Sequence, residues 1–389
     1  MDNSWTNIKK KLSSQKNITS LGVANISGSA ISAILWLYFG SVMEPSEYGE
    51  LHYFIAIASV AQIFSLIGGS NAITVYAAKK IQIHTSLFLI SLLVGLASTI
   101  FVLGYFLRFD VSILIFGYLI FELMNALLLG QKHYAKYSKF FVLQKSLMLI
   151  LGISFFHLLG FDTILYGFAL SFSPYLIIIF NEFRTVKINF DLLKTRSGFI
   201  INNYAISISG RIGSSIDKVI IAPLLGFTLL GNYSLALQLF VILLIIPSII
   251  FKYILPEDST GNSNKKLKQF LIILSVGLAI SGMILSPYVI PSFFPKFVDA
   301  VEAFQIMSIA IIPTSIKLLY TSKFLSLEKS KFVLIGTIIS SSIIIIGFLV
   351  FGPLYGIIAL AVIFVLSDVS DAIFLFCMSK TKQFQNRIN

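Results

Sequence analysis

Several charged side chains lie within long apolar stretches of the sequence, where they could hold an ion or an anionic group. The cations are Arg211, Lys218, Lys145 and Lys317, and the carboxylates are Glu122, Asp217, Asp368 and Asp371. A charge in the hydrocarbon core of a membrane costs about 3 kcal/mol on insertion scales, so it needs a partner or a wet cavity. Each of these residues is therefore a functional candidate.

Arg211 lies about twelve residues into its apolar stretch, too deep for its guanidinium to reach the membrane surface easily. Lys218 follows seven residues later, and Ser214 and Ser215 lie between them at positions that share one face of a helix. This stripe of cations and hydroxyls predicts a site for an anion. The alternative is an ion pair that only fixes packing, with one of three carboxylates: Asp217, Glu122 or Asp368.

Asp368 and Asp371 are three residues apart and share a helix face. Two neighbouring carboxylates repel each other when both are ionised, which favours uptake of a proton or a cation. We therefore consider them, with Asp217 and Glu122, as candidates for ion coupling. An equally open alternative is that the two aspartates neutralise Arg211 or Lys317.

Three further polar residues are candidates for contact with a substrate. Lys145 and Lys317 lie about two turns from the end of their stretches, so the ammonium of each could also extend to the membrane surface. Asn25 is an uncharged polar group within the first apolar stretch.

The composition requires a lipid environment. Of 389 residues, 57% are hydrophobic and 12% are charged, whereas soluble proteins have about 25% charged residues. The net charge of +12 does not indicate nucleic-acid binding, because the basic residues lie between the apolar stretches. One cysteine, Cys377, and four scattered histidines provide neither a disulfide nor zinc-site spacing. We expect no metal, no cofactor and no catalytic residues.

Twelve stretches are long enough to cross a membrane as helices, which we call spans. They cover residues 18–43, 51–78, 86–107, 111–130, 138–160, 163–181, 199–226, 230–255, 268–294, 299–325, 331–352 and 355–378. Of the 29 Lys and Arg residues, 22 fall in one alternating set of loops and termini, and two, Arg108 and Lys296, fall in the other set. The positive-inside rule then predicts a multi-pass protein of the plasma membrane with both termini in the cytoplasm.

The first span, from about Ile18 to Met43, is too long for the apolar core of a signal peptide, so we expect it to be retained. The loops are short, about twenty residues at most, and leave no room for a soluble catalytic domain. The sequence is therefore not expected to be an enzyme.

The sequence also repeats itself at an offset of 182 residues. FLISLLVGLA at 88–97 matches FLIILSVGLA at 270–279, and Ile-Ser-Gly at 26–28 matches 208–210. A repeat of six spans preserves orientation and so predicts two parallel six-helix lobes, a common transporter design. We assign them to residues 1–181 and 199–389, joined by a cytoplasmic amphipathic linker at 182–198.

Four motifs resemble those of the oligosaccharide flippases that serve polysaccharide biosynthesis, members of the multidrug/oligosaccharidyl-lipid/polysaccharide (MOP) exporter superfamily. They are Glu-Pro-Ser-Glu-Tyr-Gly-Glu at 44–50 leading to Gly68-Gly69, Asp-Lys-Val-Ile-Ile at 217–221, Leu-Gly-Asn-Tyr-Ser-Leu-Ala at 230–236, and Phe-Phe-Pro-Lys-Phe at 293–297 followed by Ala300 and Ala303.

The resemblance implies alternating access and the movement of polyprenyl-diphosphate-linked glycans, such as O-antigen or polysaccharide repeat units, from the inner to the outer leaflet. It implies a coupling cation or proton, membrane lipids and glycan-assembly proteins as partners, and no nucleic acid. Arg211 is the residue that best suits the diphosphate.

Two alternatives remain. A drug or cation antiporter of the same superfamily often has a carboxylate in its first helix, where this sequence offers only Asn25 and Ser27. A non-transporting component of glycan assembly, such as a polymerase or scaffold, would leave the buried charges unexplained.

Overall fold

The described part of the chain consists of α-helices and short connections, without a strand. The computed structural model describes residues 2–212, 215–259, 264–327 and 329–381, with side chains except those of residues 2–19, 206, 209–212, 256 and 259. The helices up to residue 185 are α1 (Asp2–Val42), α2 (Pro45–Ser65), α3 (Gly69–Ala78), α4 (His84–Phe106), α5 (Phe109–Gly130), α6 (Tyr134–Leu159), α7 (Ile164–Leu170) and α8 (Ser173–Thr185). The remaining helices are α9 (Phe190–Thr195), α10 (Ser197–Ile212), α11 (Ile216–Leu243), α12 (Ile245–Ser259), α13 (Lys265–Phe293), α14 (Ala300–Ile309), α15 (Ile311–Ser326) and α16 (Ser330–Lys380).

Two of these helices are each interrupted by a glycine with positive φ. Gly226 in α11 has φ 83°, and Gly356 in α16 has φ 59°, a region that glycine adopts without steric cost. Gly226 is the last residue of the seventh predicted span, and Gly356 is the second residue of the twelfth, so each lies close to a predicted boundary and α16 with its 51 residues supplies the last two spans. Nine described helices are long and apolar enough to cross a membrane, or ten with the bent pair α2 and α3. Divided at the two glycines, the helices account for the twelve predicted spans.

The chain forms two compact units. The first comprises Met1–Leu37 and Phe54–Ile212, and the second comprises Tyr38–Tyr53 and Gly213–Asn389. The boundary at Ile212 lies beyond the predicted linker at 182–198, because α10 packs on α3 of the first unit. The role of 182–198 as a cytoplasmic linker stays a prediction.

The second helix begins earlier than predicted. The sequence predicts a loop up to residue 50, but α2 starts at Pro45. Proline is favoured in the first turn of a helix. The Glu47 side chain accepts a hydrogen bond from the backbone amide of Glu44 at 3.0 Å, which caps the helix start. Tyr48 is fully buried, so this first turn is part of the packed structure of the second unit.

Two predicted spans are broken. Gly68, with φ 82°, separates α2 from α3, and the two helices are bent by 49°. The seventh span is helical up to Ile212 and again from Ile216, and Ser215 between them has non-helical φ and ψ of −134° and −15°. Because residues 213 and 214 and the Arg211 side chain lie outside the described residues, the alignment of Arg211 with Lys218 on one helix face stays a prediction, and Ser215 departs from the helical geometry that it requires. Discontinuous helices line the substrate sites of many transporters.

The core of the first unit is built from α3, α4, α5 and α8. Its fully buried members include Ala72, Ile73, Leu87, Phe88, Leu123, Leu127 and Tyr175. Buried polar pairs also connect helices of this unit. The Tyr175 hydroxyl of α8 bonds Asn125 of α5 at 3.1 Å, and Gln144 of α6 donates to the hydroxyl of Ser171 at the end of α7 at 3.0 Å. Buried polar groups that are satisfied in this way specify one packing arrangement.

The segment after α8 is attached to the start of α4. His84 Nε2 lies 3.0 Å from the Glu182 carboxylate, and Thr85 donates to the carbonyl of Lys187 at 3.3 Å. The Ser86 hydroxyl bonds both the amide and the carbonyl of Asn189, at 2.8 and 3.1 Å. The Asn189 side chain then caps α9. These contacts fix the position at which α9 and α10 begin.

Candidate functional site

A buried charge cluster lies in the second unit, where α15 packs against the second half of α16. Lys317 Nζ of α15 lies 2.5 Å from Asp368 Oδ1 and 3.8 Å from Asp371 Oδ2. The side chains of Asp368 and Asp371 are 9% and 6% exposed, and that of Lys317 is 25% exposed. The sequence left open whether the two aspartates bind a cation or neutralise a basic side chain. Both lie next to Lys317, which supports its role as a counter-ion.

The two carboxylates differ in their remaining partners. The Thr314 hydroxyl, one turn before Lys317, donates to Asp368 Oδ2 at 2.5 Å, so both oxygens of Asp368 are satisfied. Asp371 Oδ1 is buried and has no hydrogen-bond partner among the described residues. A buried unsatisfied polar atom costs about 1–3 kcal/mol. Asp371 Oδ1 is thus the carboxylate oxygen of this cluster whose hydrogen bonding is not satisfied among the described residues.

A second charge pair lies at the start of α11 in the same unit. Lys218 Nζ lies 3.2 Å from Asp217 Oδ2, and the buried Tyr233 hydroxyl donates to the same oxygen at 3.3 Å. Tyr233 lies within electrostatic range of both Asp217 and Asp368. Tyr233 contacts the charge pair of α11 directly through its hydrogen bond to Asp217.

Close helix packing brings these groups together. The helix α16 packs against both α11 and α15. A methyl group on Gly336, in the first half of α16, would collide with Asp371 Oδ1 in the second half. Glycine at this position therefore lets the two halves of α16 approach each other.

With its carboxylates ionised, the cluster of Lys317, Asp368 and Asp371 carries one net negative charge. One proton or one monovalent cation would neutralise it. Such a group of side chains can bind a cation reversibly, because the ammonium of Lys317 already occupies part of the site and competes with a second cation.

Other predicted residues lie in the first unit. Glu122 and Lys145 are half-buried on α5 and α6, and Lys145 Nζ lies 5.8 Å from the centre of the Phe141 ring. Asn25 donates its side-chain amide to the Leu21 carbonyl at 2.7 Å. Glu122 therefore belongs to a different unit from the other three carboxylates.

The strongest anion-site candidates lie outside the described structure. The backbone of Arg211 belongs to the last turn of α10, but its side chain is outside the described residues, and so is the whole of Ser214. Their role in binding a substrate stays a prediction.

Three polar residues of the second unit that bond its charged side chains were not identified from the sequence. Thr314 was detectable, since it lies one helical turn before Lys317. Tyr233 lies in a motif, but nothing in its spacing indicates a bond to Asp217. Asp258 bonds Lys268 at 2.7 Å and Ser322 at 2.8 Å. It was overlooked because the predicted span ended at residue 255, whereas α12 continues to Ser259.

No protein-family model and no curated protein matches this sequence. Solved structures do match in fold. The lipid II flippase MurJ aligns with a TM-score of 0.76 and 14% identity, over 93% of this chain and 87% of that chain. A multidrug resistance MATE family transporter of the MOP superfamily aligns with a TM-score of 0.74 and 14% identity, over 96% of this chain and 100% of that chain. A MATE structure in a bent conformation gives a TM-score of 0.61 and 16% identity, over 96% of each chain.

These alignments extend over almost the whole length of both partners. At identities of 14–16% they establish the fold. The predicted all-α architecture of twelve membrane helices is confirmed.

Proposed function

We propose that this chain, which has the fold of the MOP exporters, is a membrane transporter that flips a polyprenyl-diphosphate-linked glycan from the inner to the outer leaflet. Transport proceeds by alternating access and is coupled to a gradient of protons or another cation. The chain acts as a carrier rather than as an enzyme, and its partners are the lipid-linked substrate, the coupling cation and proteins of glycan assembly.

The charge cluster of Lys317, Asp368 and Asp371 is the observation that supports a coupled transporter. Two buried carboxylates and a partly buried lysine in an apolar helix bundle are costly to maintain. A purely structural pair would be served by one lysine and one carboxylate. The additional carboxylate, with one oxygen that has no partner, fits a site that is loaded and unloaded with a cation.

Two features favour a phosphate-bearing substrate over a cationic drug. The first span contains no carboxylate, and Asn25 within it bonds its own helix. The seventh span combines Arg211 and Lys218 with a break in the helix at Ser215. A guanidinium binds phosphate with two parallel hydrogen bonds and stays charged at any accessible pH.

The second candidate function is drug or cation export, because MATE transporters share the fold. The two functions are separable by substrate. The full chain, reconstituted in liposomes, would be given a fluorescent polyprenyl-diphosphate disaccharide, and a membrane-impermeant quencher would report its movement between leaflets. Ethidium efflux from the same vesicles tests the alternative.

Flipping of the glycolipid that is accelerated by an imposed pH or Na⁺ gradient is the expected result. In Asp371→Asn vesicles the gradient should no longer accelerate flipping, whereas Glu302→Gln, which changes an exposed carboxylate of α14, should behave as the unmodified chain. Ethidium efflux without glycolipid movement would refute the flippase proposal. Absence of both activities would favour a non-transporting component.

A further inference from the structure

A cleft in the first unit combines positive charge with aromatic walls. It has a volume of about 340 Å³ and lies between the end of α3 and the start of α10. Its walls are formed by Val75, Tyr76, Lys79, Thr195, Arg196, Gly198 and Phe199. Two of these residues are cations and none is a carboxylate.

Arg196 is the central residue of this cleft. Its guanidinium lies 5.5 Å from the centre of the Tyr76 ring, and Tyr76 is itself 3% exposed. The Nε atom of Arg196 is buried and has no hydrogen-bond partner among the described residues. Since a buried N–H without an acceptor is unfavourable, this geometry leaves an acceptor position open.

The charge around Arg196 is not balanced locally. Lys79 lies on the wall of the cleft, and Lys80 and Lys194 are exposed nearby in the chain. None of these four cations forms an ion pair within the described structure. The nearest acidic residue along the chain, Asp191, is exposed and does not line the cleft. The cleft therefore attracts an anion, and the fork of a guanidinium suits the oxygens of a phosphate group.

The surroundings of the cleft indicate a lipid as the source of that phosphate. Phe199, on the wall of the cleft, exposes 42% of its surface. Phe190 at the start of α9 and Ile201 in the first turns of α10 expose 53% and 62% in the same part of the chain. Exposed apolar side chains next to cations are typical of a segment that lies at the membrane interface. The charge pattern predicts this side to be cytoplasmic, and basic pockets between membrane helices on that side bind anionic headgroups.

We propose that the cleft between α3 and α10 binds the phosphate headgroup of an anionic phospholipid of the inner leaflet, with Arg196 and Lys79 contacting the phosphate. The acyl chains lie against Phe199 and its apolar neighbours. Lipid binding at this cleft does not depend on the identity of the transported substrate.

The test uses the purified full chain in detergent, titrated with phosphatidylglycerol, with phosphatidylcholine and with inorganic phosphate. Native mass spectrometry counts the retained lipids, and the thermal midpoint reports binding through ligand-linked stabilisation. The variants are Arg196→Gln and Lys79→Gln. The matched control is Lys194→Gln, which removes an equal charge from an exposed position outside the cleft.

We expect phosphatidylglycerol to bind at least tenfold more tightly than phosphatidylcholine, and Arg196→Gln to weaken phosphatidylglycerol binding by about tenfold. Lys79→Gln should have a smaller effect in the same direction, and Lys194→Gln should change the affinity by less than twofold. Equal loss in Arg196→Gln and Lys194→Gln would mean that only bulk charge matters and would overturn the site. Stabilisation by inorganic phosphate as large as that by phosphatidylglycerol would overturn the assignment to a lipid.

Discussion

Gly49 and Gly231 lie against each other where the first turn of α2 meets α11, and a methyl group on Gly49 would lie 2.8 Å from the Gly231 nitrogen. The contact is reciprocal. A methyl group on Gly49 would collide with the carbonyl oxygen of Phe227, and one on Gly231 would collide with that of Pro45. Both pairs of residues are 182 apart in sequence, the offset of the internal repeat. Equivalent positions of the two repeats thus form a self-complementary contact.

Replacing either glycine with alanine should destabilise the protein. Because the obstructing atoms are backbone carbonyls, they cannot rotate away as a side chain would, and we expect a loss of about 1–3 kcal/mol for Gly49→Ala or Gly231→Ala. Thermal unfolding in detergent, followed by intrinsic fluorescence, measures the change. Gly277→Ala in α13 is the control, since no atom lies within 4 Å of a methyl group there. A melting temperature for Gly49→Ala equal to that of Gly277→Ala would contradict the packing argument.

The pair formed by Lys317 and Asp368 should behave as a buried ion pair. Removing one partner from such a pair costs about 3–5 kcal/mol, because the other charge is left uncompensated. Since Lys317 is partly exposed, we expect a loss near the lower limit for Lys317→Met. The double variant Lys317→Met with Asp368→Asn should recover a large part of the loss.

The exposed ion pair of Lys296 and Glu44 serves as the control for this prediction. The two charged groups are 2.8 Å apart, and their side chains are 41% and 56% exposed. Exposed pairs contribute about 0–1 kcal/mol, so Lys296→Gln should change the unfolding free energy little. Additive losses in the Lys317 and Asp368 double variant would show that the two charges do not interact in the membrane protein.

Arg211 should be required for transport. Arg211→Lys keeps the charge but loses the planar fork of the guanidinium, so transport should fall partially. Arg211→Ala should abolish transport while the protein still reaches the membrane in normal amounts. Flipping and membrane abundance are measured together. If Arg211 is only a structural partner, Arg211→Ala should lower abundance, and neutralising Asp217, Glu122 or Asp368 as well should restore function.

The predicted topology can be tested with single cysteines in a Cys377→Ser background. Ser46 is exposed in the first turn of α2, and Lys194 is exposed on α9. The 22-to-2 distribution of basic residues places the first outside and the second inside. A membrane-impermeant maleimide added to intact cells should label Ser46→Cys and leave Lys194→Cys unlabelled. The reverse pattern would invert the orientation and move the phospholipid site to the outer leaflet.

Apolar length and the alternation of basic loops were sufficient to predict the number of membrane helices, because both depend only on the bilayer as a solvent. The start of α2 at Pro45 was missed because residues 44–50 are polar, and a polar segment next to an apolar span was assigned to a loop. The hydrogen bond from the Glu44 amide to Glu47 that starts the helix involves only these polar residues. The departure from helical geometry at Ser215 was missed because the span was assigned from its length and overall apolar composition, although the glycines and serines at 210–215 are residues at which helices often kink.

For the candidate site, spacing along a helix placed Asp368 beside Asp371 correctly, since residues three apart share a face. It could not choose between Arg211 and Lys317 as the counter-ion, because that choice depends on which helices become neighbours. The packing of α15 on α16 brings Lys317 next to both aspartates, while the Arg211 side chain lies outside the described residues. Contacts between helices that are distant in sequence depend on the shapes of the side chains that pack together. Neither the composition of a span nor the periodicity of its apolar residues predicts them.

The unequal number of charges around Lys317 has an electrical consequence. With one ammonium and two carboxylates, the cluster carries a net charge of −1 until it takes up a monovalent cation, and is neutral afterwards. A charge that crosses the whole membrane potential experiences about 2.3 kcal/mol per 100 mV. Any displacement of the empty cluster through the bilayer is therefore driven by voltage, whereas the loaded cluster moves without electrical work. A membrane potential that is negative inside would then favour outward movement of the empty cluster, because that cluster is negatively charged. Movement of the cation-loaded cluster would depend only on the chemical gradient of the cation, because the loaded cluster is neutral.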